Sequence, residues 1–351
     1  MFHDIIILIL GLALLVAGAN YVTDGAVAVA RRFKVSNLMI GLTVVALGST
    51  MPDMVVCVES AFRDKPALAV GEVIGSNIFD LLLVVGIMGI VRPWKVSGVM
   101  RSQDIPILFI AMAALWIAGD TVLFDGAGHN VVNRSSGIML IVIFVFYMWF
   151  MILSSGKNSQ ADDDDDEEKP VSDPKDEGIA ASHTVKGEMR ALETEMSSLR
   201  KHHWFSWLMI VAGLAALVVG GNWVVDGASG LALKVGMSQA MVALTVVAIG
   251  NALPDLVTSI TATLKGASGI AFGNIVGSCI INALLSIGLS ALVIPLHADS
   301  IGFVDFITLV GAAALLWLFP YITRNRGIDR ITGILLTLLY VAYMTFTVIR
   351  G

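Results

Sequence analysis

A passage near the amino terminus recurs 202 residues later. Gly48-Ser49-Thr50-Met51-Pro52-Asp53 returns as Gly250-Asn251-Ala252-Leu253-Pro254-Asp255, and Leu-Thr-Val-Val-Ala precedes both. Gly71, Gly75 and Ser76 return as Gly273, Gly277 and Ser278 at the same offset. From Gly18 to Asp80 against Gly220 to Asn282, 23 of 63 positions are identical without a gap. The chain is an internal duplication, and its fold has to hold two copies of one unit.

The unit is a membrane unit. Hydrophobic residues make up 56% of the 351, charged residues 14%, and the mean hydropathy is +0.83. A soluble core does not need that much apolar surface. A spanning helix takes about 20 apolar residues. Ten such stretches fall near 4–30, 38–62, 69–91, 104–119, 137–153, 205–233, 240–264, 270–294, 301–319 and 331–349. The first lacks a basic leader and runs too long for a cleaved signal. Five spans per copy is an odd number, so the second copy enters the bilayer from the opposite face. The expected architecture is all-α: ten transmembrane helices in two inverted five-helix repeats, 1–153 and 204–351. Inverted repeats suit alternating access, with the site at their interface near the midplane.

Basic residues orient the chain. With both termini outside, 17 of the 22 Lys and Arg fall on the inner side, Arg31, Arg32 and Lys34 among them. That asymmetry predicts outer termini and a cytoplasmic linker, 154–203, in a plasma (cell inner) membrane. The linker holds 13 acidic and 7 basic residues, including Asp162 to Asp166, and so carries the whole formal charge of −6. Its composition predicts a disordered tether, with a pattern that admits an amphipathic helix from Lys186 to Lys201. Five consecutive Asp cannot fold into a defined cage by themselves, so a regulatory calcium site there is not expected.

The chemistry sits inside the spans. A charge in hydrocarbon costs about 2.5–3.5 kcal/mol on insertion scales and marks a functional site by default. Asp53 and Asp255 fall mid-span with no Lys or Arg in the same helix core. A buried carboxylate without a partner protonates; one facing a cation keeps its charge. Pro52 and Pro254 cannot donate to the carbonyls of Gly48 and Gly250, so the second and seventh helices are expected to break there. Such backbone survives only against protein or an aqueous cavity. Ser49, Thr50 and Asn251 add neutral oxygens, and the set describes a hard-cation site. Glu72, Ser76 and Asp80 share one helix stripe at i, i+4 and i+8; Asn274, Ser278 and Asn282 repeat it. Gly71, Gly75, Gly273 and Gly277 permit close helix approach behind the stripes. Asp24 and Asp226, beside Asn20 and Asn222, also match at the shared offset, but nearer the span ends. Glu59 and Glu72 lie outward of Asp53 and Asp80, where an outer vestibule that concentrates cations is one reading; for Glu59 simple solvation at the membrane interface is the expected one, and for Glu72 the two stand even. Cys57 and Cys279 read as buried free thiols.

These motifs resemble those of the cation/calcium exchanger superfamily, and of its sodium/calcium exchanger branch in particular. The family's signatures are Gly-Thr-Ser-x-Pro-Glu and Gly-Asn-x-x-Gly-Ser-Asn-x-x-Asn/Asp, one pair per half. Here they stand at Gly48–Asp53 with Gly71–Asp80, and at Gly250–Asp255 with Gly273–Asn282. The resemblance implies that Asp53 and Asp255 are shared by calcium and its counter-ion, with Asp80 and Asn282 completing the central diamond. Ser76, Ser278, Ser49 and Thr50 would supply hydroxyls to flanking sodium positions. It also implies that the first and sixth helices slide across the other eight. Three departures stand out. Both leading acids are Asp, whose shorter arm widens the site; Asn251-Ala252 replaces a hydroxyl pair; and Glu72 replaces the common Asn, adding a charge to the stripe.

The expected function is a secondary antiporter that exchanges a divalent cation, most simply Ca2+, for Na+. The ions are cargo; no prosthetic group is expected, and the partners are the lipid bilayer and the transported cations. Neither a nucleic acid nor an obligate protein partner is implied. The same fold carrying Mg2+ or Mn2+, or coupling to protons, is the nearest rival. An intramembrane aspartyl protease needs Tyr-Asp and Gly-x-Gly-Asp signatures that are missing around Asp53 and Asp255. A channel fits an occluded carboxylate cluster less well than an exchanger does.

Overall fold

The computed structural model describes residues 2–33, 37–62, 66–120, 123, 130–158, 203–234, 248–297, 301–323 and 327–350. Most of the acidic linker, including 186–201, and the start of the seventh span lie outside the described residues. In hydrocarbon each backbone polar group needs an internal partner, so these apolar stretches become helices. The first half runs α1 (Phe2–Phe33), α2 (Asn37–Ile40), α3 (Ala46–Phe62), α4 (Pro66–Ile78), α5 (Val85–Val91), α6 (Ile105–Gly119) and α7 (Arg134–Asn158). The second runs α8 (His203–Lys234), α9 (Ala248–Leu264), α10 (Ser268–Ile280), α11 (Ile287–Val293), α12 (Phe303–Ile322) and α13 (Arg330–Arg350). Eight continuous helical stretches among the described residues, some running through π turns, are long and apolar enough to cross a bilayer. Two shorter apolar stretches, Leu38–Met51 and Ala252–Leu264, lie in the expected second and seventh spans.

The irregularities are π-helical turns rather than open breaks. Gly41–Val45 joins α2 to α3, Phe79–Val84 joins α4 to α5, and Ile281–Ser286 joins α10 to α11. In the second span the departure from α geometry therefore comes a turn before Gly48-Pro52, and α3 continues through the proline. A hydroxyl compensates locally: Thr50 Oγ1 donates to the Ala46 carbonyl at 2.7 Å, and Ser49 Oγ lies 3.2 Å from the same oxygen. Ser and Thr side chains are the usual means by which a spanning helix tolerates proline. α9 likewise contains Pro254.

The two copies are interleaved. Two-residue strands clip them together: β1 (Trp94–Lys95) pairs antiparallel with β4 (Gly327–Ile328), and β2 (Val131–Val132) with β3 (Leu296–His297). Each clip joins one strand from each half. The fifth span of each copy also packs on the third span of the other. A side chain on Gly137 would meet the Gly288 carbonyl at 2.9 Å, and Gly333 lies likewise against the Gly86 carbonyl. Gly273 and Gly277 let α10 cross closely over Leu38 and Leu42, as their spacing implies. Gly71 and Gly75 meet no such crossing among the described residues; the segment equivalent to Leu38–Val45 is outside them.

α1 and α8 form a unit of their own. Gly11, Gly18 and Gly25 repeat every seven residues, and so do Gly213, Gly220 and Gly227, at the shared offset. A Cβ on Gly18 would lie 2.8 Å from the Gly213 carbonyl oxygen, and one on Gly213 would lie 2.8 Å from that of Gly18. Small residues drive helix contact in lipid because backbones gain packing only when they approach this closely. Outward, Val142, Val145, Phe146 and Trp149 of α7 and Leu338 of α13 are exposed, an apolar surface suited to acyl chains. At the loop end of α13 Thr332 N donates to Asp329 Oδ1 at 2.9 Å. That bond caps the helix and holds the Asp329 carboxyl below the usual range.

Candidate cation-binding site

Four helical segments bring the repeated motifs together at the interface of the halves. Asp53 stands on α3, Asp255 on α9, and Asp80 and Asn282 sit at the second position of equivalent π turns. A π turn inserts one residue and redirects the side chains around it, which is why such turns recur at functional sites. All four residues are buried: Asp53 is 7% exposed, Asp255 5%, Asp80 2% and Asn282 0%.

The hydrogen bonds cross between copies. Asn282 Nδ2 donates to Asp53 Oδ2 at 3.2 Å, so the second half holds the principal acid of the first. Asn274 Nδ2 donates to Asp255 Oδ1 at 3.0 Å, and Ser49 Oγ of the first half donates to Asn274 Oδ1 at 3.0 Å. Ser49 and Ser278 hydroxyls lie 3.4 Å apart beside the same carboxylate. Ser286 Oγ donates to Asn282 Oδ1 at 3.4 Å. Each central aspartate thus takes one amide from the third span of the second copy.

Charge is arranged the other way. Asp53 faces Asp255 and Glu72, and Asp80 faces both Asp53 and Asp255. Both acidic stripe residues come from the first copy, while the second supplies Asn at the same positions. No Lys or Arg is paired with Asp53, Asp80 or Asp255 among the described residues; Lys265 pairs with Asp24 elsewhere. Several negative groups in low-dielectric surroundings repel one another strongly, so a positive charge placed among them would be stabilised. Carboxylates, amide oxygens and hydroxyls are all hard oxygen donors.

The expected residues gather unevenly. Asn282 bonds Asp53, Ser49, Asn274 and Ser278 surround Asp255, and Asp80 and Glu72 lie within electrostatic reach of Asp53, but among the described residues no three acids are placed to close on one metal ion. Thr50 and Ser76 direct their hydroxyl protons to their own helices, Ser76 to the Val73 carbonyl at 3.2 Å. Their oxygens keep lone pairs for a ligand. The side chains of Asn251 and Glu59 lie outside the described residues. Asn274 was legible only as a stripe member, and the structure makes it the bridge between Ser49 and Asp255. Ser286, one turn beyond Asn282, carried no motif. Cys57 and Cys279 are buried free thiols, as read; Cys57 Sγ lies 3.2 Å from Ser290 Oγ.

Asn274→Ala is expected to leave the fold intact and weaken apparent calcium affinity by at least about tenfold. It removes one amide donor to a carboxylate, worth ~1.5–3 kcal/mol. Calcium titration of transport in vesicles reads the change, and an unaltered half-saturation would remove Asn274 from the site.

Comparison with known proteins agrees with this geometry. The family model described as sodium/calcium exchanger protein matches residues 3–153 and 205–349. The inner membrane protein YrbG of Escherichia coli K12 is 30% identical over 94% of this chain and 92% of its own. The sodium/calcium exchanger MaX1 of Methanosarcina acetivorans is 27% identical over 97% of each chain. Among solved structures, the sodium-calcium exchanger NCX_Mj soaked with Na+ and Ca2+ superposes with a TM-score of 0.75. That match covers 98% of both chains at 25% identity. With the family model spanning both halves and the repeated acids meeting between them, this chain belongs to the sodium/calcium exchanger family.

Proposed function

We propose that the cluster of Asp53, Asp80, Asp255, Asn282, Ser49 and Ser278, with Glu72 beside Asp53, is the transport site of this protein. Thr50, Ser76 and Asn251 complete it as neutral oxygen donors. The protein is an integral membrane Ca2+/Na+ antiporter, not an enzyme. The observation that carries the site is the crossed bonding, in which Asn282 holds Asp53 while Ser49 reaches Asp255 through Asn274. A site shared by two inverted halves can be exposed to one face or the other by moving one bundle against the rest.

Exchange follows from electrostatics. The carboxylates cannot all stay ionised without counter-charge in a dry pocket, so one divalent or several monovalent ions must occupy it. Calcium and sodium therefore compete for the same oxygens, and crossing with the site empty is unfavourable. Basic-residue bias supports a plasma-membrane orientation with both termini outside and 154–203 as a cytoplasmic linker between repeats 1–153 and 204–351.

Calcium uptake into sodium-loaded vesicles tests the reading, with potassium-loaded and proton-gradient vesicles alongside. Uptake is expected only where sodium is inside and free to leave. Equal uptake in all three, or uptake with no counter-ion gradient, would replace exchange by a leak.

A further inference from the structure

We propose that Asn77 is a positioning residue: it pins the third spans of the two copies where they cross, and so sets the width of the cation site. Asn77 lies on α4 and is fully buried. Its Nδ2 donates to the Cys279 carbonyl oxygen of α10 at 3.2 Å. Residues 77 and 279 are 202 apart, the offset of the duplication, so Asn77 bonds to its own counterpart. A residue can touch its counterpart only at the axis that relates the two copies. In an inverted repeat that axis passes through the interface where the site lies.

The place of the bond gives it leverage. α4 and α10 meet over a short stretch only. Ser76 and Ser278 stand one residue before the bonded positions, and Asp80 and Asn282 three residues after them. The π turns that carry Asp80 and Asn282 begin two residues beyond the bond on each side. A change in the separation of residues 77 and 279 therefore moves two hydroxyls, a carboxylate and an amide together.

Stability alone does not call for an amide here. Nδ2 also lies 3.8 Å from Met112 Sδ, while Oδ1 is buried and accepts no hydrogen bond from the described residues. A buried acceptor left unmet is costly, and an apolar side chain of similar volume would avoid that cost. The second copy takes that course: at the equivalent position it carries Cys279, a buried free thiol packed among apolar residues. One amide suffices at the axis, because the position opposite needs to offer only its carbonyl. The bond of Asn77 is kept for what it holds in place.

The inference rests on the exchanger reading, and its test is built to separate the two. In sodium-loaded vesicles, the strontium concentration that halves calcium uptake is divided by the half-saturating calcium concentration. Asn77→Ala removes the amide and leaves a small side chain. The third spans then part slightly and the site admits the larger ion, so the ratio is expected to fall about fivefold. A general loss of folded protein would lower the uptake rate and leave the ratio unmoved. Asn77→Cys combined with Cys279→Asn should bring the ratio back, because the new amide reaches the carbonyl of residue 77 from the other side of the axis. Wild-type protein without sodium-dependent uptake would sink the exchanger reading. Wild-type exchange with an unmoved ratio in Asn77→Ala, failure of that variant to fold, or no recovery in the exchanged pair would sink the pin alone.

Discussion

Asp53→Asn and Asp255→Asn are each expected to reduce sodium-driven calcium uptake to the level of protein-free vesicles. Asn matches Asp in shape, and both positions are almost fully buried. The substitution therefore changes charge and hydrogen bonding with little change in volume. A carboxylate beside a cation at about 4 Å contributes about 4 kcal/mol at an effective dielectric of 20, and a divalent ion roughly doubles the Coulomb term. Losing even half of that weakens ion binding by more than about tenfold. The hydrogen bonds change as well. Asn282 donates to Asp53 Oδ2 and Asn274 to Asp255 Oδ1, so an amide at either position can face its partner donor to donor. Uptake is measured against wild type at equal folded protein, checked by thermal unfolding in detergent. Wild-type uptake in either variant would remove that residue from the site.

The two acids are expected to fail alike although their surroundings differ. Asp53 faces Asp255, Glu72 and Asp80, while Asp255 faces Asp53 and Asp80. Each also has one amide, Asn282 and Asn274 respectively. The pseudo-symmetry is thus preserved in donor number and broken in the source of charge. Both stripe acids ride on the third span of the first copy, and both amides on that of the second.

Much of this was legible because charge in an apolar run is rare. Asp53 and Asp255 stood out from 202-residue periodicity alone, and the stripe spacing placed Asp80 and Asn282 on the faces that meet them. Inversion is an expectation from counting spans. Three things were hidden. The π turns at Phe79–Val84 and Ile281–Ser286 begin one residue before the two site residues, yet nothing in their apolar composition separates a π turn from an α turn. Pro52 suggested a break because it lacks an N–H, but a hydroxyl on the same turn supports the helix. Asn274 appeared as one more polar stripe member, and only the third dimension shows it spanning both halves. The glycines of α1 and α8 carried a visible seven-residue period, which reads as packing without saying against what.

That glycine seam sets the second large effect. Gly18→Leu is expected to lower the thermal unfolding midpoint sharply and to cut transport at least tenfold. A Cβ at Gly18 would sit 2.8 Å from the Gly213 carbonyl oxygen and 3.0 Å from the Leu217 backbone nitrogen. These are main-chain atoms of a helix, which cannot swing aside as a side chain can. Overpacking commonly costs about 1–3 kcal/mol where neighbours relax, and more where they do not. The helices must instead separate, and with them goes the close backbone packing that associates spans in lipid, where no hydrophobic force replaces it. Gly18→Ala should lie between wild type and Gly18→Leu, since it demands a smaller retreat. Gly220→Leu should resemble Gly18→Leu, because a Cβ there meets the Gly11 carbonyl and the Leu15 nitrogen at 3.0 and 2.9 Å. Gly311→Ala provides the contrast, as nothing lies within 4 Å of the added carbon. If Gly18→Leu unfolds and transports like Gly311→Ala, the two helices do not pack through this seam, and the α1–α8 unit loses its basis.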